Sequence, residues 1–277
     1  MKKNTKRPEQ ASSATPYDDV YRTMMNDCSP LLIPVINEVF GEHFTGKEEI
    51  RFSPNEHFIN QQDGGGAKRI TDSAFAIIGV KTKKYLMECQ STPDNSMLVR
   101  IFEYATQVAL DEGNMIGDTL QVEIPNCAVL FLRSNRNTPD LMHLEITAAG
   151  GTLTIDVPVL KVLRYSLDRI FEKKLYFLLP FYIFTHEKDL AEYETNEEKL
   201  DALKKEYAVI MECLDALAEN KELSYYYKKI IVEMAANVVE NLAAKYDRVR
   251  DGVKSVMGGK FLNYEAKTIY LEGVDKV

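Results

Sequence analysis

The sequence predicts an α/β protein: a mixed sheet flanked by helices, followed by a helical extension. Three observations carry this. Two strand-like runs, 73–78 and 83–90, flank a polar break and are followed by an amphipathic helix over 97–110 and a buried strand over 127–134. Such alternation of strands and helices builds sheets covered by helices. Between 200 and 238 the apolar residues instead step by three and four, the spacing of a helical seam. With 277 residues, 45% of them hydrophobic, the chain can build one large core or a core plus an accessory module.

The elements follow in order. Residues 1–16 (MKKNTKRPEQASSATP) are basic and polar with no apolar stretch, so they read as a disordered tail and not as a secretory signal. A helical region over 17–41 is interrupted by Pro30 and Pro34. Strand-like RFSPNEHFI (51–59) leads into the loop QQDGGGAK (61–68). Its three glycines suit mobility near a substrate; a phosphate-cradling P-loop would need GKS or GKT after them. Beyond the first hairpin, its helix and the buried strand CAVLFLRS (127–134), residues 141–160 form a second hairpin turning at Gly150-Gly151.

The longest uncharged apolar run, LYFLLPFYIF (175–184), is ten residues with a proline inside. A membrane-spanning helix needs ~17–25, so no membrane partner is expected. In the last third, Leu200, Leu203, Tyr207, Ile210, Leu214 and Leu217 form one seam; Leu223, Tyr227, Ile230, Met234 and Val238 repeat it after a break at Glu219-Asn220. This reads as a helical hairpin packed on itself or on the core, or more sharply as a homodimer surface. The expected organisation is a tail (1–16), a core (17–186) and a C-terminal helical extension (187–277).

Composition narrows the function classes. The 34 Lys and Arg against 42 Asp and Glu, a net charge of −8, exclude a protein that coats nucleic acid generally. The imbalance is uneven: 187–206 holds eight acids and four lysines, whereas 68–100 holds six cations and three acids, a net of +3. Lys83 and Lys84 serve either that locally basic site or an ordinary hairpin tip. Cys28, Cys89, Cys127 and Cys213 lie far apart with no CxxC pair, as expected for reduced packing thiols in a cytoplasmic protein. The histidines at 43, 57, 143 and 186 show no ligand spacing, so no zinc site is expected.

The span 69–90, RITDSAFAIIGVKTKKYLMECQ, carries the chemistry. If the hairpin folds about Val80, paired residue numbers sum to 160, and Asp72 lies opposite Glu88. Directly opposed Cβ atoms are ~5 Å apart, close enough for two carboxylates to share one hard cation. Side chains alternate along a strand, so Leu86, Glu88 and Gln90 share one face and Tyr85, Met87 and Cys89 the other. A slip of one residue would turn Asp72 to the wrong face. Glu88 also ends an apolar run, where a carboxylate would be desolvated unless a metal or a cation sits beside it. The alternative is a solvated sheet edge.

Asp72, a hairpin and then Glu88-Cys89-Gln90 resemble the PD-(D/E)XK nuclease superfamily, and more narrowly its bacterial transposase, or recombination-promoting nuclease, family. The matching segments run in order through YDDVYRTM (17–24), RITDSAF (69–75), YLMECQSTPDNSMLVRIFEYATQ (85–107), VLFLRSNRNTPD (129–140) and LPFYIFTHEKDLAEYE (179–194). The resemblance implies a restriction-endonuclease-like core with Asp72, Glu88 and Gln90 as catalytic residues. It implies Mg²⁺ (or Mn²⁺) held by Asp72 and Glu88, with the carbonyl of Cys89 as a third ligand. The superfamily commonly has Lys where this chain has Gln90, which can hydrogen-bond a water but carries no charge.

The partner implied is DNA, contacted by Arg69, Arg100, Tyr104 and Gln107. The last three recur at i, i+4 and i+7 on one helix face, which faces either the cleft or solvent. Asp18, Glu38 and Glu56 are the upstream acids from which the site could be completed. Two function classes follow: a metal-dependent DNA endonuclease, or a catalytically weak relative that binds DNA or a protein.

Overall fold

The chain, taken from a computed structural model, is described over residues 15–53, 56–60, 66–70, 73–92 and 96–258, with backbone alone for 56–60 and 66–70. Helix α1 (Pro16–Asp27) begins where Pro16 meets Thr15, whose backbone N–H donates to Asp18 Oδ2 at 2.6 Å. That carboxylate satisfies one of the donors a helix start leaves open. A 3₁₀ turn over Ser29–Leu31 containing Pro30 separates α1 from α2 (Leu32–Phe40), which ends at the left-handed Gly41. Pro34 sits in the first turn of α2, where it is tolerated.

Strands β1 (Glu49–Phe52), β2 (Glu56–Asn60) and β3 (Gly66–Ile70) follow. The single strand expected over 51–59 is therefore two, and β2 pairs with β3 as a separate antiparallel ladder. Gly66, Ala67 and Lys68, expected in a loop, belong to that ladder. Next come β4 (Ala74–Ile78) and β5 (Lys83–Gln90), paired Ala74 with Leu86 through Ile77 with Lys83, so every pair sums to 160. Helix α3 (Met97–Asp111), a small ladder of β6 (Asn114–Ile116) with β7 (Thr119–Gln121), and β8 (Asn126–Phe131) complete the middle of the chain. The second hairpin is β9 (Leu141–Ala148) and β10 (Gly151–Lys161).

The main sheet runs β1-β4-β5-β8-β10-β9. It is mixed: β5, β8 and β10 are parallel neighbours, while β1, β4 and β9 join antiparallel. Parallel neighbours need a crossover, and α3 supplies it between β5 and β8. One face packs on α3 through Leu86, Val129, Phe131, Ile101 and Ala105. The other carries the larger core, built from α1, α2, the sheet and everything after it.

After α4 (Leu167–Glu172), the apolar run at 175–184 is buried in a long 3₁₀ segment, Tyr176–Asp189. Helices α5 (Leu190–Thr195), α6 (Glu197–Glu219), α7 (Tyr225–Leu242) and α8 (Asp247–Gly258) finish the described chain. Asn196 caps α6 and Ser224 caps α7. The two seams are buried as expected, but they do not pack chiefly on each other. Helix α7 lies on α1 and the 3₁₀ segment, and α6 lies on α8. Leu200, Leu203, Tyr207, Ile210 and Leu214 share one buried cluster with the sheet. The core is thus continuous across residue 186, and the seam residues are buried or half-buried against it. Residues 251–258 complete α8 and bury Val253 and Met257. No helix among the described residues is long and apolar enough to cross a membrane.

One contact fixes α1 across the sheet. Tyr21, 4% exposed, donates its hydroxyl to the carbonyl of Met87 at 2.5 Å. Tyr21→Phe is expected to lower stability by about 1–2 kcal/mol, read as the midpoint of urea unfolding at unchanged slope.

Candidate active site

Strand β5 is held on both sides, by β4 and by β8, with Glu88 opposite Val129 and Gln90 opposite Phe131. Its side chains therefore cannot turn away from the faces that alternation assigns them. Leu86 faces the α3 cluster, while Tyr85 and Met87 face the larger core with Cys89 packed against it. Glu88 and Gln90 share the Leu86 face and are almost wholly enclosed, 8% and 9% exposed. The solvated-edge alternative for Glu88 is thereby removed.

A carboxylate so placed is held in the charged form by few groups. Arg100 Nη2, from the first turn of α3, lies 3.5 Å from Glu88 Oε2. Burial pushes the Glu88 carboxyl above its ordinary range, against the pull of Arg100, a hydrogen bond from the Ser73 side chain and the charge of Arg22; Asp18 adds to the upward push. Gln90 Oε1 is buried and has no hydrogen-bond partner among the described residues. A buried, ion-paired carboxylate and an amide oxygen with no partner among the described residues thus share one face of one strand.

Of the upstream acids whose side chains are described, Asp18 is the one whose charge reaches this point: it acts on both Glu88 and Cys89. Glu38 is committed elsewhere, to Lys173 at 2.6 Å and the hydroxyl of Tyr165 at 3.0 Å. The side chain of Glu56 lies outside the described residues, as do Asp72 and the side chain of Arg69. The backbone of Arg69 sits in β3 opposite His57, not in the β4–β5 hairpin.

The helix stripe divides. Arg100 reaches Glu88, Tyr104 packs against the cluster beneath α3, and Gln107 Nε2 donates to Asp111 Oδ1 at 2.8 Å along its own helix. The basic surplus around the hairpin is also smaller than its sequence count. Lys83 binds Glu42 at 2.7 Å, and Lys84 binds Glu112 at 2.7 Å and Glu123 at 3.1 Å. Both lysines are hairpin-end ion pairs.

Burial drives the Cys89 thiol well above its ordinary range. It stays a neutral packing group on the opposite face, so only the Cys89 carbonyl could serve a cation. Cys28 and Cys127 are likewise buried, their thiols pushed up to about 12 chiefly by burial.

Sequence reasoning did not single out Arg133, immediately beyond β8. Its guanidinium grips Glu187 from Nε and Nη2 at 2.6 and 2.7 Å and lies over the rings of Phe184 and Tyr17, 4.9 and 5.7 Å from their centroids. Nη1 approaches the carbonyl of Ser91 at 3.4 Å and Thr92 Oγ1 at 3.5 Å. One side chain thus joins the start of α1, the turn after Gln90 and the end of the 3₁₀ segment. The signal was a charged residue directly after the apolar run Cys127–Leu132, at the carboxyl end where α/β proteins place their ligands.

The described donors suit a hard cation in kind, being a carboxylate and an amide oxygen with a second carboxylate nearby. Among the described residues no group of three or more His, Cys, Asp or Glu side chains is gathered for a metal. Comparison of the chain with protein-family models, with curated proteins and with solved structures returns no match.

Proposed function

We propose that Glu88 and Gln90 form the centre of a divalent-metal-dependent phosphodiesterase acting on DNA, an endonuclease of the PD-(D/E)XK transposase or recombination-promoting type. The observation that carries this is the buried carboxylate of Glu88 beside a Gln90 oxygen with no partner among the described residues, at the carboxyl ends of parallel β5 and β8. Such an arrangement weakens a fold and is kept where it serves chemistry. The helix-covered mixed sheet is compatible with the restriction-endonuclease-like core proposed from sequence.

In this reading Glu88 and Asp72 would hold Mg²⁺ or Mn²⁺, with the Cys89 carbonyl as a third donor and Asp18 as the acid next in line. The ion, when bound, lowers the pKa of a water and screens charge building on the phosphate. Gln90 orients the attacking water by hydrogen bonding without adding charge. Arg100, balancing Glu88 at 3.5 Å, is placed to turn to a phosphate oxygen once another cation balances Glu88. The net charge of −8 makes DNA binding modest and salt-sensitive.

A second reading, a catalytically weak relative that binds DNA or a protein, is favoured by Gln90 in place of lysine. Plasmid nicking with Mg²⁺ or Mn²⁺ decides between them, comparing wild type, Asp72→Ala and Glu88→Ala. Cleavage by wild type alone is expected. Equal cleavage by all three would sink the mechanism, and DNA binding without cleavage by wild type would favour the second reading.

A further inference from the structure

We propose that the outer edge of β9 is a homodimer interface, in which two copies pair β9 with β9, antiparallel, about a twofold axis through Leu144. Strand β9 ends the sheet, and no described strand covers its outer side. Exposed edges are usually blunted by lysine, proline or a bulge. Strand β9, LMHLEITA, contains neither lysine nor proline, and its ladder to β10 runs unbroken from Leu141 to Ala148. Moreover, β8 pairs with β10 only over 159–161, so the ribbon of 141–148 and 151–158 extends past the parallel strands.

The ribbon is two-faced. Met142, Leu144 and Ile146 lie beside Val157, Ile155 and Leu153 on one side, and Leu153 is 57% exposed. His143, Glu145 and Thr147 lie beside Asp156, Thr154 and Thr152 on the other. An isologous antiparallel pairing needs an axis perpendicular to the sheet, which keeps each face on its own side. Partners must then share parity, so their numbers sum to an even value.

A sum of 288 places Met142 opposite Ile146, Leu144 opposite itself and His143 opposite Glu145. Both copies gain an apolar pair and an acid–imidazole pair. The neighbouring registers fail: 290 sets Glu145 against Glu145, and 286 sets His143 against itself with Glu145 facing Leu141. Like charges directly opposed are unfavourable and opposite ones favourable. His143 already holds Asp156 Oδ1 through Nδ1 at 2.8 Å; in its protonated form it can also donate Nε2–H to the second copy's Glu145. The pattern is self-complementary in one register, which specifies a second copy better than an unrelated strand.

Sedimentation equilibrium of the full chain at tens of micromolar concentration is expected to give twice the 31.6 kDa of the chain. Leu144→Lys, which sets two like charges on the axis, is expected to give a monomer with unchanged far-UV circular dichroism. Leu144→Cys is expected to form an intermolecular disulfide on mild oxidation beyond any wild-type background. Glu145→Cys should not, because its copies sit on a diagonal ~7–8 Å apart, too far for a disulfide. A monomeric wild type would overturn the proposal, with or without capture of another protein's strand at this edge. A wild-type dimer that survives Leu144→Lys and gives no Leu144→Cys crosslink would overturn it equally.

Discussion

Glu88→Gln is expected to cut metal-dependent DNA cleavage by roughly 10²–10³-fold, the scale on which loss of one charge-handling group shows, while leaving the protein as stable as wild type or more so. The two effects separate because the Glu88 carboxylate is nearly enclosed and only partly balanced by Arg100 at 3.5 Å. An amide of the same shape removes the desolvated charge, and Arg100, with 27% of its side chain exposed, can turn to water. The sign of the pH dependence follows from the raised Glu88 carboxyl. The folded protein binds that proton more readily than the unfolded chain, so the carboxylate weakens folding fully above its raised value. The penalty disappears as pH falls through that value toward the ordinary carboxylate range.

Wild type and Glu88→Gln should therefore differ in urea midpoint at neutral pH and converge in acid. The Mg²⁺ concentration needed for half-maximal cleavage should rise as pH falls through this window, because a proton competes with the cation for Glu88. A Glu88→Gln protein less stable than wild type by more than about 1 kcal/mol would instead make Glu88 a structural partner of Arg100.

Arg133→Ala is expected to be the most destabilising change near the site, by about 2–3 kcal/mol, between the value of an exposed pair and that of a buried one. It removes a two-pronged bond to Glu187, leaves that carboxylate without its cation, and uncovers the rings of Phe184 and Tyr17. A double-mutant cycle with Glu187→Gln should give a coupling of about 1 kcal/mol or more. Arg133→Lys keeps the charge but not the fork, and should recover less than half of the loss. Because Arg133 also approaches Ser91 and Thr92, directly after Gln90, the Mg²⁺ concentration needed for half-maximal cleavage should rise in Arg133→Lys. An unchanged metal requirement would confine Arg133 to holding the fold.

The elements that were legible are those whose pattern is carried by near neighbours in the chain. The pairing sum of 160 was readable because Ala74–Ile77 and Lys83–Leu86 flank a short turn, and alternation then placed Leu86, Glu88 and Gln90 together. The helix expected over 97–110 spans Met97–Asp111, and the second hairpin turns beside Gly150 and Gly151 as expected. Local periodicity failed where partners are distant. Nothing near Lys83 or Lys84 announces Glu42, Glu112 or Glu123. The helix stripe could not reveal that Gln107 would turn to Asp111 while Arg100 turned to Glu88.

What the sequence by itself determined is the α/β class, the register of the central hairpin and the face on which Glu88 and Gln90 stand, because backbone geometry imposes these over a few residues. Only the tertiary structure decided that Glu88 is enclosed, that Asp18 rather than Glu38 reaches it, that Arg133 ties three segments around it, and that the C-terminal seams close onto the core. Burial and charge pairing depend on which distant segments the folded chain brings together, and no spacing along the sequence encodes that.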